Sequence, residues 1–201
     1  MAKILRALRR ARFQILTVGL AYLLSVLTGA VMAHQGQHAA LDFRDKLISK
    51  ARGNDRASIA YAKGNRLGAA LWDFGQNLII GAVPQTITGL TIISPYAIAG
   101  YRGWVGGIVS IDGQHRSRLR KWKSAAYYML TLLLQLIPYS LAGGIGVKLG
   151  LSYFRADSAY KDSPRVWGYP VEALKDVTRV YALVAPLFLI ASLWEFLSRW
   201  N

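Results

Sequence analysis

Four long apolar stretches constrain the fold of this chain more than any other feature of its sequence. They cover residues 13–33, 67–111, 124–150 and 177–197 and contain very few charged residues. A helix needs about 20 apolar residues to cross about 30 Å of hydrocarbon, so three stretches fit one crossing and the second has room for two. Because none shows the alternation of a membrane β-strand, the stretches predict transmembrane helices.

The predicted fold class is all-α, an integral membrane bundle of about five transmembrane helices with an amphipathic surface helix after the first. Residues 1–201 form a single membrane domain. The predicted spans cover residues 13–33, 67–83, 86–111, 125–149 and 177–197. Residues 34–66 are predicted to form the surface helix, or alternatively a solvated linker helix, with a break at Gly53-Asn54, and residues 151–176 are predicted to form a loop. Pro84 predicts a tight turn at residues 83–85, because proline ends or kinks a helix.

Two aspects of the topology stay open at this point. The second apolar stretch is also compatible with a re-entrant hairpin. Five spans with an inside N-terminus place the basic residues 116–123 outside, against the positive-inside bias, whereas four spans and a re-entrant segment place them inside. Residues 1–33 also have features of a signal peptide, but the length of the apolar part favours a retained membrane anchor.

The strongly basic balance of the chain is explained by where the basic residues lie. The net charge is +15 and the isoelectric point is about 10.3. Many of the cations lie in residues 3–12 and 116–123, directly beside predicted spans. This placement indicates binding to anionic lipid headgroups. No nucleic-acid partner is expected, since no recognised motif accompanies the charge.

Small residues recur at four-residue spacing in three predicted spans. Such stripes allow close approach of helix backbones in lipid. The three sets are Ser25, Gly29 and Ala33; Ala99, Gly103 and Gly107; and Ala142, Gly146 and Gly150. They predict either packing within this bundle or an interface with another subunit.

Several polar side chains fall inside the predicted spans. They are Asp73, Gln76, Asn77, Arg102, Gln135, Lys148 and Glu195. An ionised side chain at the centre of a bilayer costs at least about 2.5 kcal/mol, so it needs a partner or water. We predict that Asp73 pairs with Arg102 if the second and third spans are antiparallel neighbours. The group as a whole indicates either structural ion pairs and snorkelling, or a polar pathway for a solute or ion.

The sequence predicts no catalytic residue, no metal site and no cofactor, and hence no enzyme. His34 and His38 are four residues apart but have no evident third ligand. The glycines at 144, 146 and 150 have the wrong spacing for a dinucleotide site and no preceding strand. The chain contains no P-loop, so any use of ATP requires an ATPase on a separate chain.

Several segments together resemble the stage II sporulation protein M family of membrane proteins. The strongest is QLIPYSLAGGIGVKLG at residues 135–150, which is similar to a family span with the pattern Ala-Gly-x-x-Gly-Leu-Arg-Leu-Gly. WDFGQN at 72–77, YRGWVG at 101–106 and ASLWEF at 191–196 are similar to further family segments. Order and spacing agree over roughly residues 13–198.

The resemblance implies a five-helix membrane protein without known catalysis, whose relatives are parts of membrane complexes. Some are encoded beside bacteriocin export genes, and the family looks distantly like the membrane subunits of ABC exporters. The positions carried over are Asn77, Arg102, Gly103, Gly146, Lys148 and Glu195. The chain departs from the family at Gln135 and Gln76, where relatives have glutamate and asparagine, and it lacks a Pro-His-Gly segment.

Three functional hypotheses follow. The first is a non-catalytic structural subunit that packs within a larger membrane complex, as a homodimer or with other membrane chains. The alternative is a permease-type transporter subunit powered by a separate ATPase. The third is an accessory subunit of an energy-converting complex. For all three we expect a multi-pass protein of the cytoplasmic membrane of a prokaryote.

Overall fold

The computed structural model describes residues 1–154 and 158–199 of the chain. About 84% of it is helical, which confirms the predicted helical class. The only regular strands in these residues are β1 (Arg165–Val166) and β2 (Tyr169–Pro170), which pair antiparallel in a short hairpin.

The long and short helices follow one another with few connecting residues. In chain order they are α1 (Ala2–His34), α2 (His38–Asn54), α3 (Arg56–Ala62), α4 (Arg66–Gly75), a π-helical segment (Gln76–Ala82), α5 (Val83–Ile87), a 3₁₀ turn (Thr88–Thr91), α6 (Ser94–Ile108), a 3₁₀ turn (Arg118–Arg120), α7 (Trp122–Phe154), a 3₁₀ turn (Ser158–Tyr160) and α8 (Val171–Leu197).

Three helices, α1, α7 and α8, are long and apolar enough to cross a membrane. Each of them is longer than its predicted span. The end of α7 and the start of α8 include residues 151–154 and 171–176 of the predicted loop. Residues 155–157 of that loop lie outside the described residues. An ion-pair network explains the extension of α1 and α8. Arg10 donates to both carboxylate oxygens of the fully buried Asp176, each at 2.6 Å. Arg179 and Tyr160 also donate to Asp176, at 2.8 and 3.1 Å.

The second apolar stretch folds as a helical hairpin, and the predicted turn at residues 83–85 is wrong. The chain stays helical past Pro84, and the residues directly before it, Ala82 and Val83, are helical as well. The preceding segment has π-helical hydrogen bonding, which accommodates a local change of register. The reversal instead lies at residues 88–93, where Ile92 adopts a φ of 63°. Pro95 then lies in the first turn of α6. Of the predicted third span, residues 86 and 87 therefore belong to the first arm of the hairpin, and residues 88–93 form the reversal.

Close backbone contacts set the direction of α6 relative to α1. A Cβ atom added at Gly103 would overlap the carbonyl oxygen of Tyr22, and one added at Gly107 would overlap that of Val26. Since both numbers increase together, α1 and α6 are parallel. The loop after α6 therefore lies at the end of the bundle opposite to the start of α1, and His34 and Ser117 meet there at 2.8 Å.

The remaining arms alternate in direction. Gly144 of α7 lies against Ile15 of α1, whereas Gly19 lies nearer to Ser140, so that α7 is antiparallel to α1. The bond between Arg10 and Asp176 places the start of α8 beside the start of α1. Thus α1, α6 and α8 run in one direction, and α7 runs in the other.

The segment predicted as a surface helix forms two helices, α2 and α3, which are separated at Asp55, directly after the predicted break at Gly53-Asn54. Asp55 caps α3 by accepting a hydrogen bond from the Ser58 amide at 2.8 Å, and its other oxygen accepts one from Gln76 at 2.8 Å. Partial burial opposes ionisation of Asp55, but these hydrogen bonds outweigh it and lower its pKa below the ordinary value. Phe43 packs edge-on against Trp104 at 5.0 Å, which holds α2 against α6.

Candidate functional site

A cavity of about 590 Å³ lies among α1, α4 with the π-helical segment, α6, α7 and α8. Five of the seven polar residues predicted inside the spans line it: Asp73, Asn77, Arg102, Gln135 and Glu195. Its volume falls in the range of about 300–1,000 Å³ that is typical of small-molecule sites. The fold therefore gathers charges of both signs, from the three helices α4, α6 and α8, around one space.

The carboxylate of Asp73 is held by a chain of hydrogen bonds. Ser192 and Asn77 donate to its Oδ2 atom, at 2.7 and 2.9 Å. The Tyr139 hydroxyl donates to the amide oxygen of Asn77 at 2.7 Å, which fixes the orientation of the amide. Because the first hairpin arm, α7 and α8 each contribute to this chain, the position of the carboxylate is set by packing of the helices.

Arg102 lies in the same cavity but does not form the predicted ion pair. No nitrogen of its guanidinium is within 4 Å of a carboxylate oxygen of Asp73, and both residues belong to the described part of the chain. The guanidinium instead lies over the Tyr139 ring, 4.2 Å from its centroid. A cation–π contact of this kind stabilises the positive charge and leaves N–H donors of the guanidinium available for other hydrogen bonds.

Gly81 makes room for this arrangement. A Cβ atom there would lie 2.8 Å from the Arg102 guanidinium and would overlap the Tyr139 hydroxyl. Gly81 occurs in the π-helical segment, one turn after Asn77. The absence of a side chain at this position lets Arg102 and Tyr139 reach the polar face of the first hairpin arm.

The cavity is open at one edge. Ile80 and Tyr101, which line it, are 71% and 53% exposed on the surface of the bundle. Leu47 of the surface helix α2 also belongs to the lining. The opening therefore lies between the two arms of the hairpin, with α2 beside it.

One polar atom of the lining has no protein partner. The amide oxygen of Gln135 is buried and accepts no hydrogen bond from the residues that the structure describes. A buried acceptor of this kind is destabilising by about 1–3 kcal/mol unless water or a ligand supplies a donor.

The other two predicted intramembrane polar residues do not line the cavity. Gln76 donates to Asp55 and so ties the first hairpin arm to the surface helices. Lys148 is buried near the other end of α7, with its Nζ atom 5.5 Å from the centroid of the Tyr160 ring. Neither side chain therefore belongs to the cavity lining.

The three small-residue stripes all lie at contacts within the chain. The stripe of α1 meets that of α6: Gly29 abuts Trp104 and Gly107, and Ser25 abuts Gly103. Ala33 packs beside Ile108, and Ala99 is fully buried in the main core. In α7, Gly146 abuts Thr86 and Gly150 abuts Gly89, while the Ala142 carbonyl accepts a hydrogen bond from Thr86 at 2.9 Å.

Sequence reasoning missed the aromatic part of the lining. The cavity is bordered by four tyrosines: Tyr22, Tyr101, Tyr128 and Tyr139. A signal was present, because a tyrosine hydroxyl in an apolar span needs a hydrogen-bond partner. Tyr128 finds the carbonyl of Gly106 at 2.9 Å. Ser192 was also missed, since a single serine in a span carries little information by itself.

Comparisons with models of protein families, with curated proteins and with solved structures find no match to this chain. The fold and the cavity are therefore the features from which a function can be inferred. In residues 1–154 and 158–199, no three histidine, aspartate or glutamate side chains are arranged to hold a metal ion.

Proposed function

We propose that this protein is a membrane-embedded, permease-type subunit that binds a small polar solute in the cavity between its helices. One observation carries the proposal. A guanidinium and a carboxylate face the same cavity in an apolar bundle, and neither neutralises the other by direct contact.

The placement of these charges differs from the placement that a purely structural role favours. A purely structural role favours direct pairing of Asp73 with Arg102, because unpaired charges in a membrane interior are destabilising. Here the hydrogen bonds to Asp73 come from neutral groups, and Arg102 lies over a ring. Such an arrangement keeps both charges available to water or to a bound solute.

The proposal includes a topology. We infer five membrane crossings, in which α4–α5 and α6 act as two short crossings between the three long helices. The location is the cytoplasmic membrane of a prokaryote, as the family resemblance implies. We infer that an ATPase on a separate chain supplies the energy for transport, and that anionic lipids bind the basic residues at both ends of the bundle.

The test is accessibility of the cavity to water, and the chain is suited to it because it contains no cysteine. Single cysteines are introduced at cavity positions Asn77, Val105 and Thr131 and, as controls, at the exposed apolar positions Ile79 and Leu133. The variants are reconstituted in vesicles and treated with a small, charged thiol reagent. We expect rapid labelling at the cavity positions only. Equal protection of both sets would contradict the proposal.

A structural subunit is the alternative, and it is supported by the exposed apolar face of α1, where Phe13, Leu16 and Leu20 are more than half exposed. The small-residue stripes do not support it, since they lie at contacts within the chain. Neutral substitution of Asp73 and Arg102 separates the two roles. A permease subunit should lose solute binding and still co-purify with its partners, whereas a structural subunit should lose assembly.

A further inference from the structure

We propose that the solute is a small zwitterion, a molecule that carries an anionic group and an ammonium group. The inference rests on the proposed solute-binding function and specifies its ligand. It is based on the juxtaposition of the Arg102 guanidinium and the Asp73 carboxylate in one cavity, each with hydrogen-bonding capacity that the described protein does not use.

Arg102 provides the site for the anionic group. Its guanidinium donates to no carboxylate or carbonyl group of the residues that the structure describes, and its principal contact is the face of the Tyr139 ring at 4.2 Å. The fork of N–H donors matches a carboxylate or phosphate group, which it binds through two parallel hydrogen bonds. The stacking on Tyr139 holds the fork in place before the ligand arrives.

Asp73 provides the site for the ammonium group. Both of its hydrogen bonds, from Ser192 and Asn77, end on Oδ2. The Oδ1 atom receives none from the described residues and is therefore available to a donor in the cavity. Tyrosine rings in the lining favour a cation as well, because their faces are electron-rich.

The charges of Arg102 and Asp73 favour a ligand that carries both signs. A cationic solute would pair with Asp73 but not with Arg102, and an anionic solute would pair with Arg102 but not with Asp73. Glu195 adds a second carboxyl group to the lining, which also favours an ammonium group on the ligand. A zwitterion matches both groups and adds no net charge to the membrane interior.

Two sources present this chemistry. One is a free solute such as an amino acid, and the other is the headgroup of a zwitterionic phospholipid. The lateral edge of the cavity, formed by the exposed Ile80 and Tyr101, would admit a headgroup whose chains remain in lipid. The shared feature is an anionic group and an ammonium group on one molecule.

The first experiment measures binding of free solutes to the detergent-purified chain. The probes are the common L-amino acids, each with the amine formed by loss of its carboxylate and the acid formed by loss of its amino group. Leucine, 3-methylbutylamine and 4-methylpentanoate are one such set. We expect at least one amino acid to bind about tenfold or more tightly than both of its single-charge analogues, since each charge adds a charge-assisted hydrogen bond.

The second experiment offers the same protein short-chain phosphatidylethanolamine and phosphatidylglycerol with identical acyl chains, and native mass spectrometry reports the bound lipid. A preference for phosphatidylethanolamine supports the lipid source, and a preference for an amino acid supports the free source. The inference is overturned if phosphatidylethanolamine is not preferred over phosphatidylglycerol and no amino acid binds more tightly than both of its single-charge analogues.

Substitutions assign the two ends of the ligand. Arg102→Gln should reduce zwitterion affinity to that of the amine analogue and leave the amine unaffected. Asp73→Asn should reduce it to that of the acid analogue and leave the acid unaffected. The control is Arg116→Gln, at an exposed arginine that pairs with Asp112 in the loop after α6. Loss of all binding preference in the control would also overturn the assignment.

These results are distinguishable from a failure of the proposed function. If cavity cysteines are labelled from water but no zwitterion is preferred, the cavity still serves a polar solute and only the ligand class is wrong. If the cavity cysteines are protected, the solute-binding function itself is wrong, whatever the probes show.

Discussion

At the scale of single residues, the polar lining depends on a position that has no side chain. Gly81 lies where the Arg102 guanidinium, the Tyr139 hydroxyl and the backbone of the first hairpin arm meet. The tyrosine hydroxyl in turn orients Asn77, which donates to Asp73. A single methyl group at Gly81 would therefore disturb several members of the hydrogen-bond chain.

We expect Gly81→Ala to lower the free energy of unfolding by about 1–3 kcal/mol, the range for overpacking of a tight contact, and to weaken solute binding. The control is Gly75→Ala, in the same helical arm, where an added Cβ meets no atom within 4 Å. Because alanine favours a helix over glycine, the control should be neutral or slightly stabilising. Thermal unfolding in detergent measures both, and equal effects would contradict the role of Gly81.

At the scale of elements, the coupling between the surface helices and the cavity passes through Asp55. This residue caps α3 with one oxygen and binds Gln76 of the π-helical segment with the other. The next residue after Gln76 is Asn77, which contributes to the cavity. The order of α3 and the position of the cavity wall are thus linked by one carboxylate.

We expect Asp55→Ala to destabilise the start of α3 by about 1 kcal/mol, the usual effect of losing an N-cap. Hydrogen exchange of residues 56–62 should become faster, whereas Asp42→Ala, at an exposed position of α2, should leave it unchanged. The folded-state pKa of Asp55 is lowered. Its contribution is therefore complete above about pH 4, the ordinary pKa range of an unfolded aspartate, and is lost as the pH falls through the lowered value.

The elements also show how much of the fold could be predicted from the sequence. Hydropathy identified α1, α7 and α8, because a run of about 20 apolar residues is long enough to cross a bilayer and too apolar for a helix that faces water. It placed the hairpin turn wrongly at Pro84, since a proline within a helical run and a proline that ends a helix can occur in the same local sequence. It also predicted a direct bond between Asp73 and Arg102, on the condition that their two spans are antiparallel neighbours. The intervening tyrosine comes from α7, and no local pattern could indicate it.

At the scale of the whole molecule, the first and last helices are joined outside the apolar region. Arg10 of α1 binds Asp176 of α8, whose side chain is fully buried and also accepts hydrogen bonds from Arg179 and Tyr160. This cluster lies at the end of the bundle opposite to the surface helices. It holds the two helices on either side of α7 at a fixed separation.

We expect Arg10→Gln to lower the free energy of unfolding by about 3 kcal/mol, the lower end for breaking a buried ion pair, because Arg179 remains beside Asp176. Arg9→Gln, at the neighbouring exposed arginine, is the control and should change stability by less than about 0.5 kcal/mol. The free energies are measured by reversible unfolding in mixed micelles. A similar loss of stability in both variants would show that removing any nearby positive charge has this effect, and that the pair of Arg10 and Asp176 makes no specific contribution.

The π-helical segment has a consequence for the register of the whole hairpin arm. Residues 73, 77, 81, 85 and 89 recur every fourth position, and each contacts α6, α7 or α8. In a regular α-helix such a series would rotate by about 40° at every step and leave the contact surface within a few turns. The wider turns at residues 76–82 rotate it back. Deleting one residue there would rotate Gln85 and Gly89 away from α7 while leaving Asp73 in place. The second half of the arm would then lose its packing contacts with the rest of the bundle.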